Sequence, residues 1–143
     1  MSTQTINSDR AARPVGPYPH ARRAGHLLFL SGIGPRRPDR TDIPGVTQDG
    51  SGNIVSYDVR AQTCACFDNI SAVLTAAGLG LPDVVDVQVF LVDIKSNFAA
   101  FNEVYAEYFD AATGPARTTI GVTGLPTPIH VEFKVTAAYP MPQ

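Results

Sequence analysis

Among the charged residues, Arg117 and Glu132 stand in the pattern best suited to chemistry on a small anion. Residues 114–138 read G-P-A-R-T-T-I-G-V-T-G-L-P-T-P-I-H-V-E-F-K-V-T-A-A, two strand-like runs around a Gly/Pro turn. In the second run Ile129, Val131, Phe133 and Val135 alternate with His130, Glu132, Lys134 and Thr136, the period of a strand with one apolar and one polar face. In the first, Ile120 and Val122 share the apolar side with Thr118, which leaves Arg117 and Thr119 on the other. An antiparallel hairpin turning at residues 124–128 sets Glu132 opposite Thr119, with Arg117 on the diagonal. A planar guanidinium grips a carboxylate bidentately, and a carboxylate can take a proton from water as a general base. Together they would make a site for an anionic substrate and a water. The same two residues also fit a solvated cross-strand ion pair.

The rest of the chain must build a scaffold for that pair. Residues 1–12 read as a polar lead-in, and R-P-V-G-P-Y-P-H-A over 13–21 as an extended edge segment that its prolines bar from helix. G-H-L-L-F-L-S-G over 25–32 predicts a short strand, covered on both sides because four apolar residues run consecutively. Residues 33–57 are loop-like, with a short strand near 53–55, and carry Arg36, Arg37 and Arg40. A helix over 58–77 is capped by Ser56 or Asp58, shows an apolar stripe through Val59, Cys66, Phe67, Ile70, Val73, Leu74 and Ala77, and stops at Gly78. Residues 84–92 predict a strand with Val85, Val87, Val89 and Leu91 on one side and Val84, Phe90 and Val92 on the other. A second helix starts at Ser96 with Phe98, Phe101, Tyr105, Tyr108 and Phe109 on one face, a pattern of core packing. The order of elements is that of an α+β chain with one sheet and two helices. Two helices cover one sheet face, and the apolar residues left on the other predict self-association.

With 143 residues the chain is one domain, 1–143, and its 44% hydrophobic and 17% charged residues are ordinary for a globular protein. No apolar run reaches the length of a membrane span and the N-terminus lacks a secretory layout, so a cytoplasmic protein without membrane association is expected. A net charge of −2 gives no pull toward nucleic acid, although most of the arginines fall in the first forty positions. Cys64 and Cys66 are too close for an ordinary disulfide and belong to no CxxC or Cys/His ligand set, which reads as structural thiols. His20, His26 and His130 are dispersed, and no metal site is expected. His130 reads either as an exposed strand histidine or as a partner supporting Glu132.

The runs P-A-R (Pro115 to Arg117), L-P (Leu125, Pro126) and V-E (Val131, Glu132), with G-P-Y (Gly16 to Tyr18) and S-G (Ser31, Gly32), resemble the signature of the RidA family, also called YjgF: small enamine/imine deaminases. The resemblance implies a chorismate-mutase-like single mixed sheet with two helices packed on one face, and a homotrimer with sheets facing inward and clefted sites between neighbours. It implies catalytic Glu132 and Arg117, with Tyr18, Ser31, Gly32 and Thr119 lining the substrate site, and no cofactor. The 33–57 stretch is longer than its counterpart in that family, and Ile33 replaces the glutamine common after S-G. R-P-V-G-P-Y-P, S-G-I-G-P-R-R-P and R-T-T resemble in particular the branch that hydrolyses 2-aminomuconate, a dicarboxylate, to 4-oxalocrotonate and ammonia. For such a substrate Arg36 and Arg37 are candidates to hold the distal carboxylate. The alternatives are a broad imine deaminase, a non-catalytic metabolite-binding trimer and an RNA-acting trimer.

Overall fold

A computed structural model describes residues 3–141 of the chain; Met1 and Ser2 of the lead-in lie outside them. Eight strands and two helices follow in the order β1 (Thr3–Ile6), β2 (Ala21–Ala24), β3 (Leu27–Leu30), β4 (Val46–Gln48), β5 (Ile54–Tyr57), α1 (Val59–Ala76), β6 (Val84–Val92), α2 (Ile94–Tyr105), β7 (Ala116–Val122) and β8 (Val131–Ala138). Six strands form one mixed sheet in the order β1-β2-β3-β8-β6-β7, and β4 and β5 form a separate two-stranded hairpin. Both helices pack on one face, giving the two-helix, mixed-sheet architecture expected from the sequence.

Local chemistry accounts for the elements. Asp58 caps α1 by accepting from the N–H groups of Arg60 and Ala61. Gly78 ends it with φ +78, which lets the Leu79 N–H reach back to the Leu74 carbonyl at 2.8 Å. Phe67, Ile70, Val73 and Leu74 of α1 are buried against Val131, Phe133 and Val135 of β8 and Val87, Val89 and Leu91 of β6. The stretch expected to be a loop over 33–57 is partly built: Ile33 bridges Phe133 through paired backbone bonds of 2.8 Å, and β4 and β5 close a hairpin.

Two expectations are corrected. The runs around Arg117 and Glu132 are not a hairpin: β6 lies between them, parallel to β7 and antiparallel to β8. A strand–helix–strand unit returns its second strand parallel to the first, and β6, whose Val87, Val89 and Leu91 are fully buried, is a central strand with a neighbour on each side. Arg117 therefore pairs in register with Val87 and, across it, Val135, on the helix-covered face. Glu132 pairs with Phe90 and, across it, Ile120, on the free face. The second correction is in β6, where the pairing with β8 shifts between Val84 and Asp86. The extra residue turns Val84 into the core and leaves Val85 46% exposed on the free face, the reverse of simple alternation.

Candidate active site

Glu132 follows core residue Val131 and precedes core residue Phe133, so the pleat alone turns it to the free face. Gly32 meets it there: a β-carbon built on Gly32 would lie 3.2 Å from Glu132 Cδ, a separation only a bare backbone permits without displacement. The carboxylate is half-buried and has no ion-pair or hydrogen-bond partner among the described residues. Burial pushes its pKa above the ordinary carboxylate value.

On its other side Gly32 lines a small cavity of about 30 Å³, shared with Tyr18, His20, Ser31, Arg36 and Asn69, which has room for a water molecule. The Ser31 hydroxyl donates to the Pro19 carbonyl at 2.7 Å, tying the strand end to the proline-rich segment. Tyr18 is 40% exposed, and its hydroxyl accepts from the Val15 N–H. Arg36 donates to the Arg13 carbonyl at 2.5 Å and also borders a second cavity of about 220 Å³ beside Thr41, Ile43, Gln48 and Pro128. Arg37 is exposed and lines neither cavity.

Asn69 of α1 was not singled out by sequence. Its side-chain NH₂ donates to the carbonyls of Gly34 (2.9 Å) and Arg36 (2.6 Å), and its carbonyl accepts from the Ala12 N–H. One buried amide thus sets both walls of the small cavity. Gln62, also missed, clamps His130: its Oε1 accepts from the His130 N–H at 2.7 Å, which orients Nε2 to donate to His130 Nδ1 at 3.0 Å. That fixes the tautomer with the proton on Nε2. Tyr57 stacks on the same ring, centroids 3.5 Å apart. His130 is thus buried against α1, and desolvation lowers its pKa. A signal for both amides was available, since positions 62 and 69 lie two turns apart on one helix face.

Arg117 and Thr119 stand apart from this group, on the helix-covered side of edge strand β7. The Arg117 guanidinium carbon lies 4.6 Å from the Tyr105 ring centroid, 5.5 Å from Phe101 and 5.9 Å from Phe98. The Thr119 hydroxyl oxygen is buried with no hydrogen-bond partner among the described residues. One chain therefore carries the candidate residues on opposite sides of its sheet, Glu132 against Gly32 on the free face and Arg117 with Thr119 on the helix-covered face, while Tyr18, Ser31 and Arg36 line the small cavity beside Gly32. No cluster of three or more His, Cys, Asp or Glu able to hold a metal occurs among the described residues.

Comparison with known proteins adds the following. The family described as Endoribonuclease L-PSP matches residues 8–139. A RutC family protein of Pyrococcus horikoshii is 39% identical over 134 residues, covering 94% of this chain and 96% of its own. TdcF of Escherichia coli, named as a reactive intermediate deaminase, is 33% identical over 134 residues, covering 92% and 94%. The crystal structure of E. coli TdcF with bound serine superposes with a TM-score of 0.81 at 30% identity, covering 96% of this chain and 99% of that one. The E. coli YjgF gene product gives a TM-score of 0.79 at 30% identity, covering 94% and 98%.

Proposed function

This chain belongs to the Endoribonuclease L-PSP family of RidA, YjgF and RutC proteins, and on that premise we propose that it is a hydrolytic deaminase of enamines and imines of carboxylic acids. The observation that carries the reading is Glu132, a half-buried carboxylate with a raised pKa and no ion-pair partner among the described residues, set against the bare backbone of Gly32. An enamine first takes a proton on its β-carbon to become the imine. The protonated (iminium) form is attacked: Glu132 removes a proton from water as the oxygen bonds to the iminium carbon, and the C=N electron pair moves to nitrogen, leaving an NH₂ group. The carbinolamine collapses: Glu132 returns its proton to nitrogen, the hydroxyl gives its proton to solvent water as the carbonyl forms, the C–N bond breaks, and nitrogen leaves as ammonia. Arg117 holds the substrate carboxylate. Since it lies across the sheet from Glu132, the site is composite, Arg117 and Thr119 of one copy facing Glu132, Gly32, Ser31 and Tyr18 of another. The assembly is a homotrimer packed through the free sheet faces, a reading supported by Phe29, Val85 and Ile120, 40%, 46% and 42% exposed there.

A narrower reading, hydrolysis of 2-aminomuconate to 4-oxalocrotonate, is favoured by one observation. Arg36 borders the same small cavity as Gly32 with donors beyond the one on Arg13, so a second carboxylate has a cation to reach. Arg37, exposed away from both cavities, lends no support. The test is ammonia release from freshly generated 2-aminomuconate against imines of monocarboxylic amino acids, with Arg117→Ala and Glu132→Gln alongside. Turnover should vanish in both variants while carboxylate binding survives only in Glu132→Gln. Full turnover in Glu132→Gln would remove the proposed base, and a preference for the monocarboxylic imines would leave the broad deaminase.

A further inference from the structure

We infer that the aromatic face of α2, Tyr105 above all, is the positioning device for Arg117, holding the guanidinium by ring faces so that its N–H donors remain free for an anion. This rests on the reading of Arg117 as the carboxylate grip. An arginine can be fixed by a carboxylate, which neutralises it, or by carbonyl oxygens, which occupy its donors. Arg117 has neither among the described residues. Instead its guanidinium carbon sits 4.6, 5.5 and 5.9 Å from the centroids of Tyr105, Phe101 and Phe98, within the range where ring quadrupoles attract a cation. That attraction takes no hydrogen bond, so the planar fork is oriented and still unspent.

Sequence explains the geometry. Positions 98, 101 and 105 fall on one face of a helix, and the parallel β6-α2-β7 unit lays that face along the edge strand carrying Arg117. The rings differ in rigidity. Phe101 is fully buried, and Tyr105 is wedged against Phe67, Phe109 and Phe133, whereas Phe98 is 37% exposed at the rim. The Tyr105 hydroxyl is buried with no hydrogen-bond partner among the described residues, so the ring and not the oxygen acts on Arg117.

The test compares Tyr105→Phe, Tyr105→Leu, Phe98→Leu and Arg117→Ala in the intact protein. It reads ammonia release from a freshly generated 2-imino acid and the side-chain ¹H–¹⁵N resonance of Arg117, which ring faces shift upfield. Tyr105→Leu should raise KM about tenfold with kcat nearly unchanged and abolish the upfield shift. Tyr105→Phe should restore both, and Phe98→Leu, at the rim and outside the packed core, should give a smaller change of the same kind even if Tyr105→Leu does not fold. The inference is overturned if Phe98→Leu leaves KM and the resonance unmoved, or if Tyr105→Phe loses as much as Tyr105→Leu. Arg117→Ala separates the two claims: full turnover there strikes the grip itself, while its loss beside an unaffected Tyr105→Leu strikes only the aromatic device.

Discussion

A half-buried carboxylate with no ion-pair partner is hard to ionise, and among the described residues Glu132 is such a group. Its raised pKa comes from desolvation. A base must be ionised to act, so the acid limb of kcat/KM should lie above the usual carboxylate range, and a pH–rate profile checks this. The same shift bears on stability. A carboxyl whose pKa is raised by folding contributes stability that is complete below its unfolded pKa and is lost as pH rises through the folded value. Glu132→Gln should therefore melt a few degrees above wild type at neutral pH while being inactive, and the difference should close as the pH falls below about 4. At Gly32 the expectation is steric. The β-carbon of Gly32→Ala meets Glu132 Cδ at 3.2 Å, so the carboxylate must shift, and turnover should fall about tenfold or more in steady-state assays with little change in melting temperature. At this scale the sequence read well where alternation decides the matter: Glu132 does face away from the core. It read poorly for Gln62 and Asn69, whose importance lies in which distant carbonyls and N–H groups they meet, and no pattern along the chain encodes that.

Among the elements, α1, β3 and β6 were legible because caps, a stop glycine and runs of β-branched residues are local signals. The neighbours of β6 are not local. Nothing in residues 114–138 says that another strand enters between the two runs; that follows from α2, which brings β7 back parallel to β6. The misplacement of Val84 and Val85 has the same origin, since a bulge depends on the partner strand's register. The hydrogen-bonded link from α1 to the loop after Ser31 and Gly32 is, among the described residues, the Asn69 side chain. Asn69→Leu leaves the carbonyls of Gly34 and Arg36 and the Ala12 N–H without it, at a cost of about 1–3 kcal/mol. A thermal melt should show that loss, and KM for a dicarboxylate should rise because Arg36 is no longer held.

For the molecule as a whole, the proposed assembly rests on the free sheet face. Phe29, Val85 and Ile120 stand there among Glu132, Lys134 and Thr136, a surface mixed enough for a folded chain and apolar enough to seek a partner. On the proposed assembly, a charge placed on this face at edge strand β7, Ile120→Glu, should give monomers in sedimentation or size-exclusion runs and abolish turnover with them. With 11 basic against 13 acidic residues, binding to RNA should stay weak and show no steep loss with salt, as a filter assay would report. Alternating strand geometry also divides the labour. Arg117 and Glu132 point to opposite sides of one sheet, so the proposed composite site predicts that two inactive proteins repair each other. Arg117→Ala and Glu132→Gln chains, each dead alone, should regain about a quarter of wild-type activity when unfolded, mixed in equal parts and refolded together, since a cyclic assembly then contains interfaces at which both contributors are intact.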